Sequence, residues 1–226
     1  MTGLDEVKYR IKFTKTGEAK WISHLDLARY LERSFRRAGL PIAYSNGFSP
    51  HPRISFGQAL SVGVESQAEY VDVTFNFEQT IEEIQSRLLK AMSKAVKVLD
   101  VIKLGSESKK LGKVLRYADY QILIITENSN IELIKSRINS STYLTSEGIK
   151  ITSEERGNLS LEKINTADQD NGRLVVTVRT PVNLSPKNIL KEVESLVAAE
   201  DVSIDITRIA QWSKSKERIL DPIESK

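Results

Sequence analysis

The sequence predicts an α+β protein composed of tandem ferredoxin-like (βαββαβ) halves with antiparallel sheets. Two observations favour this class. Segments in which apolar and polar residues alternate, as in half-buried strands, lie between segments in which apolar residues recur at helical spacing. The resulting order is β-α-β-β-α-β, the ferredoxin-like order, and it occurs twice. The predicted domains are a first half over residues 1–104, a basic linker over 105–116, a second half over 117–212 and a polar tail over 213–226.

In the first half, the element boundaries have local causes. In the first strand, apolar residues alternate with charged ones, which predicts one buried face and one solvent-exposed face. Ser23 is a suitable N-cap for the helix that follows, and Gly39 is a suitable stop. Thr80 is placed to cap the second helix. The six elements are a strand over 8–17, a helix over 24–38, a short strand over 41–45, a strand over 69–77, a helix over 81–95 and a strand over 96–104.

The second half repeats this order less distinctly. Its strongest strands are the two apolar runs at 120–126 and 173–180, the second of which follows an Asn-Gly turn. Ser185 and Pro186 open a helix, because proline is tolerated at the first helical position. The remaining elements are a helix over 130–139, strand pieces over 150–155 and 158–164, a helix over 187–198 and a strand over 202–212.

Composition narrows the classes of function. The chain is 40% hydrophobic and 28% charged, and it has no apolar run near the roughly 20 residues of a membrane helix. The N-terminal residues do not resemble a secretory signal, so we expect a cytoplasmic protein with no membrane partner. Cysteine is absent, which excludes disulfides, thiol nucleophiles and thiolate-bound metal centres within this chain. No cofactor is predicted.

Positive charge is concentrated in two segments. Lys15–Leu60 contains seven Lys/Arg against three Asp/Glu, and Lys103–Arg116 contains five against one. On a wheel of about 100° per residue, four arginines of the first helix share a sector opposite its apolar side. We call them the arginine stripe: Arg29, Arg33, Arg36 and Arg37. Arginine binds phosphate in a fork geometry, so the stripe favours an anionic partner, although a solvated helix face gives the same pattern.

The segment Ser45–Arg53, SNGFSPHPR, is predicted to be a rigid loop that presents side chains. Pro50 and Pro52 hold the backbone extended around His51, one of only two histidines in the chain. A rigid connection that only packs would account for the same residues. The predicted RNA-contacting residues outside the stripe are Ser45, Asn46, His51 and Arg53 in this loop and Lys109, Lys110 and Lys113 in the linker.

Aromatic residues beside the loop could stack on bases. They are Tyr44, Phe48 and Phe56, although Phe56 fits the core equally well. The other histidine, His24, lies in the first turn of the helix and could meet His51 at one end of the sheet. That pair would serve as base and acid, with Arg53 stabilising phosphorane charge, in a metal-independent endoribonuclease. A metal site is not predicted, since Asp26 lies about 160° around the wheel from His24.

The run from Trp21 to Val73 resembles the family of radical-SAM-linked proteins. The resemblance is carried by SHLDL, RRAGLP, SNGFSPHPRISFG and EYVDV. Members occur beside, or fused to, a B12-binding-type radical SAM enzyme, and the resemblance assigns no activity to any residue. It implies a separate radical SAM enzyme as the partner. Because this chain has no cysteine, it cannot itself hold the radical SAM cluster.

A weaker resemblance, in architecture, is to the CRISPR RNA-processing endonucleases. Those enzymes carry a glycine-rich loop near the C-terminus, whereas RIAQWSKSKERILDP, at Arg208–Pro222, has no glycine. This difference argues against RNA cleavage. The sequence therefore favours a non-catalytic accessory protein of a radical SAM enzyme that binds RNA (tRNA or rRNA) through the basic helix face and the His-containing loop. The alternatives are the His24/His51 endoribonuclease and a protein-docking subunit that does not contact nucleic acid.

Overall fold

The computed structural model shows a chain that forms two units. Unit 1 comprises Met1–Arg116 and Gln211–Lys226, and unit 2 comprises Tyr117–Ala210. The structure describes residues 6–127, 133–134, 136–137, 161–163, 171–197, 202–215 and 218–223. The predicted helix over 130–139 and the strand pieces over 150–155 and 158–164 therefore lie wholly or partly outside the described residues.

The described elements are mixed α and β, as predicted. Strand pairs β1–β3, β1–β4, β2–β3, β5–β7, β6–β7 and β8–β9 are all antiparallel. The strands are β1 (Val7–Lys15), β2 (Ile54–Phe56), β3 (Glu65–Phe75), β4 (Val98–Leu104), β5 (Leu115–Glu127), β6 (Leu161–Lys163), β7 (Asn171–Pro181), β8 (Ser203–Ser215) and β9 (Arg218–Leu220). The helices are a 3-10 helix (Gly17–Trp21), α1 (His24–Arg37), α2 (Ile81–Ala91), α3 (Leu111–Val114) and α4 (Pro186–Val197).

In unit 1, a sheet in the order β4-β1-β3 packs one face on α1 and α2. β2 pairs with the end of β3, and β8, whose residues from Gln211 onward belong to this unit, lies next to β3. Alternation along β1 and β3 places every second residue on the helix side, so that these residues form one hydrophobic core. The core residues of β1, β3, α1 and α2 include Tyr9, Ile11, Phe13, Val71, Val73, Phe75, Leu27, Leu31, Phe35, Ile84 and Leu88.

The predicted helix ends are confirmed at three positions. The Ser23 Oγ accepts from the Asp26 N–H at 3.1 Å, and Thr80 forms a reciprocal capping box with Glu83. Gly39, directly after the C-cap of α1, has φ of 65°, a conformation that favours glycine. α2 ends at Ala91 rather than at 95, because the Ser93 N–H donates to the Tyr30 hydroxyl at 2.6 Å instead of continuing the helix.

The short strand predicted over 41–45 is wrong. This segment makes only isolated bridges, Ile42 to Phe75 and Tyr44 to Pro52. The Ala43 N–H donates to the Thr74 carbonyl, while the Ala43 carbonyl accepts from the Arg53 N–H, both at 2.8 Å. The backbone therefore alternates between two partners and forms no continuous ladder. The short strand of this region is β2, farther along the chain.

The second face of the unit 1 sheet was predicted to be solvent-exposed, and this is wrong. Arg10 on β1 is 1% exposed and forms two hydrogen bonds to Asp72 on β3, at 2.8 and 3.1 Å. The Arg10 guanidinium also donates to the backbone carbonyls of Lys109 and Pro222, each at 3.1 Å. Segments far apart in the chain thus cover this face and supply the acceptors that a buried guanidinium needs.

The covering segments come from the predicted linker and the predicted polar tail. Residues 105–116 contain α3 and the start of β5, and both Leu111 and Leu115 are buried. Residues 213–226 contain the end of β8 and all of β9. Asp221 accepts from Lys12 Nζ at 2.6 Å and from the Tyr70 hydroxyl at 2.9 Å, so this segment is bonded to both central strands.

Unit 2 has the strand order β8-β5-β7-β6. β5 and β7 pair without a break from Tyr117–Pro181 to Glu127–Asn171. Ile122, Ile124, Leu174 and Val176 of these strands are buried, as are three apolar residues of α4: Ile189, Val193 and Val197. Arg208 on β8 is also buried and donates to the Tyr120 hydroxyl at 2.9 and 3.1 Å. In β5 and in β7 these buried residues lie two positions apart, as expected of residues on one face of a strand.

Candidate nucleic-acid interface

Helix α1 presents the arginine stripe on its exposed side. Leu27, Leu31 and Phe35 are buried against the sheet, and the four arginines, spaced at helical intervals, are exposed or nearly so. The exposed side of α1 is therefore consistent with the basic helix face that the sequence predicts.

Three of the four arginines have a partner among the described residues, and the partners differ. Arg29 lies 3.5 Å from the Asp26 carboxylate, and Arg36 pairs with Glu32. Arg37 donates to the Ala91 carbonyl at 2.7 Å, a bond that ties α1 to the end of α2. Arg33 has no hydrogen bond or ion pair to the part of the chain that the structure describes. Exposed ion pairs contribute roughly 1 kcal/mol or less, so a phosphate can displace the partners of Arg29 and Arg36.

Arg36 also joins the helix to the start of the loop. Its Nε donates to the Tyr44 hydroxyl at 3.1 Å, and its guanidinium carbon lies 5.9 Å from the centre of the Tyr44 ring. A cation over an aromatic ring forms an attractive contact, which orders both side chains. The contact places an arginine and an exposed ring side by side.

The Ser45–Arg53 loop is closed by backbone bonds at its base. The Ser45 N–H donates to the His51 carbonyl at 2.8 Å, and the His51 N–H donates to the Ser45 Oγ at 3.0 Å. The bridge from Tyr44 to Pro52 lies directly beyond them. These bonds support the sequence prediction of a pre-ordered loop, within which residues 45–51 are all exposed.

Phe48 stands at the tip of this loop. Its side chain is as exposed as in an extended peptide, at 111% of the reference value, and it packs on nothing. Phe56, by contrast, is packed against the core, and its ring centre lies 5.3 Å from that of His24 in a T-shaped arrangement. Of the candidate stacking residues, Tyr44 and Phe48 are therefore available and Phe56 is not.

The sequence reasoning did not select Trp21, which is also exposed, at 64%. It ends the 3-10 helix before α1, and the Lys20 ammonium lies 5.3 Å from its ring centre. Leu25, in the first turn of α1, is exposed as well. The adjacent Lys20 and Trp21, in the basic segment Lys15–Leu60, are the feature of the sequence from which an exposed ring at Trp21 could have been predicted.

The structure does not assemble the predicted endoribonuclease pair. His24 packs on Phe56, His51 is exposed in the loop, and no described hydrogen bond or ring contact joins the two. The Arg53 guanidinium pairs with Glu6. The three candidate catalytic side chains thus have separate surroundings.

The basic linker residues lie beside the buried arginine. Lys109, Lys110 and Lys113 are exposed, and the Lys109 backbone carbonyl accepts from Arg10. Their side chains remain available to an anion. Within the described ranges, no three His, Cys, Asp or Glu residues gather as a metal site would require. Nor does any helix described here combine the length and apolar character needed to cross a bilayer.

A separate apolar groove of about 810 Å³ lies between α2 and β4 of unit 1. Leu88, Leu89, Met92 and Val98 form part of its lining, with Lys94 and Lys97 also beside it. These lysines offer a basic surface that is independent of the arginine stripe.

A family model covers most of this sequence. The model described as "Uncharacterized protein conserved in bacteria (DUF2344)" matches residues 8–218. The chain belongs to this family. No curated protein matches the DUF2344 chain.

A solved structure titled "Crystal Structure of an Unknown Protein from Galdieria sulphuraria" is similar to the DUF2344 chain at 11% identity. The similarity covers 91% of this chain and 100% of that one. Its TM-score is 0.27, so it bears on neither fold nor function.

Proposed function

We propose that this protein is a non-catalytic RNA-binding accessory protein that acts beside a separate radical SAM enzyme. The observation that carries the RNA part is the combined basic and aromatic surface of α1 and the Ser45–Arg53 loop. Arg33 has no described partner there, Arg36 lies over Tyr44, and Phe48 is fully exposed. Arginines neutralise phosphates and free rings stack on bases, which is the combination that RNA-binding surfaces use.

The radical SAM part rests on the resemblance of Trp21–Val73 to radical-SAM-linked proteins. The absence of cysteine supports a division of labour, since the iron–sulfur cluster must then belong to another chain. We place the protein in the cytoplasm, because a chain without cysteine has no disulfides that the reducing environment could break. tRNA and rRNA are the RNA classes we expect.

We also propose that each unit has a ferredoxin-like topology. In unit 1 the order β4-β1-β3, with β2 on β3 and helices after β1 and β3, supports it. In unit 2 the order β8-β5-β7-β6, with α4 between β7 and β8, supports it as well. In both units the fourth strand of the motif lies next to the first.

The test is RNA binding by two matched charge-reversal variants. Arg29, Arg33 and Arg36 are changed to Glu in one, and Lys90, Lys94 and Lys97 in the other, so that both lose the same charge. Arg37 is left in place because it bonds to Ala91. Fluorescence anisotropy with labelled tRNA and rRNA fragments is recorded at two salt concentrations, with chelator present.

We expect the natural chain to bind with strong salt dependence and to leave the RNA intact. The arginine variant should bind much more weakly and show a salt slope lower by about 2, since each phosphate contact contributes roughly 0.7 to 0.9. The lysine variant should stay close to the natural chain. If the two variants weaken binding equally, only net charge matters and the assignment to α1 fails. Absence of binding by the natural chain refutes the RNA proposal and favours a protein-docking role.

A further inference from the structure

Phe48 is the most exposed phenylalanine among the described residues, at 111% of the reference value against 52% for Phe77. Phe13, Phe35 and Phe75 are buried, and Phe56 packs against the core. A single exposed apolar side chain is common on protein surfaces and by itself indicates nothing. Phe48, however, stands on a loop whose ends are joined by hydrogen bonds rather than on a loosely held segment.

The neighbours of Phe48 leave both faces of its ring accessible. Asn46 and Ser49 are polar, Gly47 has no side chain, and all three are exposed. Gly47 has φ of 121°, a backbone conformation that side-chain-bearing residues rarely adopt. The sequence thus supplies a turn in which an aromatic ring protrudes and nothing adjacent covers it.

An aromatic ring held this way suits an unpaired base. Bases in an RNA duplex are stacked on each other and offer no free face, whereas bases in loops and ends can stack on protein rings. Stacking tolerates any base because every base has a π-face. The second ring, Tyr44, is held by Arg36 at the start of the same loop, so phosphate and base contacts can occur together.

We infer that the Ser45–Arg53 loop binds single-stranded RNA, with Phe48 stacked on an unpaired base, in preference to duplex RNA. This inference rests on the proposed RNA-binding function and adds the class of RNA segment. The arginine stripe supplies affinity for the backbone of either form, and Phe48 supplies the preference for unpaired bases.

The experiment compares Phe48→Ala and Phe48→Trp with the natural chain. The probes are a single-stranded RNA oligonucleotide, the duplex of the same length and a hairpin with an unpaired loop, all at one salt concentration. Phe77→Ala is the matched control, because Phe77 is also an exposed phenylalanine of unit 1 but lies outside the loop. A 2-aminopurine base in the single strand reports stacking directly by quenching of its fluorescence.

We expect Phe48→Ala to weaken binding of the single strand and of the hairpin loop about 5- to 150-fold, the range found for one stacked base. Duplex binding and the salt slope should not change, because no phosphate contact is removed. Phe48→Trp should retain the quenching, and Phe77→Ala should behave like the natural chain. Because Phe48 packs on nothing, the variants should fold normally, and circular dichroism checks this.

Three results overturn the inference. Equal weakening of single-strand and duplex binding by Phe48→Ala shows that the ring does not select unpaired bases. Unchanged binding by Phe48→Ala, in the same assay in which the arginine variant loses it, refutes stacking while the RNA-binding function stands. If Phe48→Ala and the arginine variant both bind RNA as the natural chain does, the RNA interface lies elsewhere. The stacking inference and the assignment of RNA binding to α1 are then both refuted.

Discussion

Removal of the Asp72 carboxylate should destabilise unit 1 far more than loss of an exposed ion pair. Arg10 and Asp72 are 1% and 4% exposed, and two hydrogen bonds of 2.8 and 3.1 Å join them. In Asp72→Ala the guanidinium keeps its two carbonyl acceptors but loses the only negative charge bonded to it among the described residues. Breaking a buried pair by removing one partner costs about 3–5 kcal/mol. That is a large share of the roughly 5–15 kcal/mol that stabilises a domain.

The matched control is Glu6→Ala, which breaks the ion pair with Arg53. Those side chains are 40% and 44% exposed, so the expected loss is about 0.2–1 kcal/mol. Urea unfolding followed by tryptophan fluorescence reports unit 1, because Trp21 and Trp212 both belong to it. With a slope of about 2 kcal/mol per molar urea, Asp72→Ala should lower the midpoint by roughly 1.5–2.5 M and Glu6→Ala by less than about 0.5 M.

The urea midpoints of the two variants test whether the buried Arg10–Asp72 pair stabilises unit 1 more than an exposed ion pair does. If Asp72→Ala shifts the midpoint no more than Glu6→Ala, the buried guanidinium is stabilised adequately by its carbonyl acceptors or by water. This face of the sheet would then not depend on a paired charge. An altered slope would show instead that the variant changes the unfolded ensemble or the cooperativity.

Three further predictions concern single side chains. Burial, and next the Asp221 carboxylate, raise the pKa of Tyr70 above its ordinary value of 10.0. The unfolded chain therefore releases this proton first, so stability should fall above about pH 10, and less steeply in Tyr70→Phe, as urea midpoints between about pH 9 and pH 11 would show. Thr80→Ala removes the N-cap of α2 and should cost about 1 kcal/mol in the same assay; no change would mean that water replaces the cap. Gly57→Ala would place a methyl group 2.8 Å from Leu115 Cδ1 and should lower the melting temperature, a loss that Leu115→Ala in the same chain should partly relieve if the clash is its cause.

Local patterns in the sequence were sufficient to predict most of the elements on the side of the unit 1 sheet that α1 and α2 cover. The alternation in β1 and the cap at Ser23 have causes within a few residues, and α1 begins and ends within one residue of its predicted bounds. The exposed arginines and the closed loop are local features too. The bond from Arg37 to Ala91 is not local, since it joins residues 54 positions apart, and no pattern within α1 indicates it.

The opposite side of the sheet could not be predicted in this way. A strand in which charged and apolar residues alternate is typical of a half-exposed sheet, and β1 has that pattern. Arg10 is nevertheless buried, because Lys109 and Pro222 supply acceptors from positions 99 and 212 residues away. Periodicity describes only a segment's own neighbours. It contains no information about which distant carbonyl will meet a charge.

The division of unit 1 into two stretches has a consequence for biosynthesis. Unit 2 is encoded between Arg116 and Gln211, so the ribosome completes it before it makes the residues that close unit 1. At about 5–20 residues per second, the interval between residues 116 and 222 lasts roughly 5–20 s. Throughout that time Arg10 and Lys12 have no Pro222 carbonyl or Asp221 carboxylate to bind. The nascent protein therefore carries an open, charged sheet face, and its first strand reaches its final environment only after residues 221 and 222 have been made.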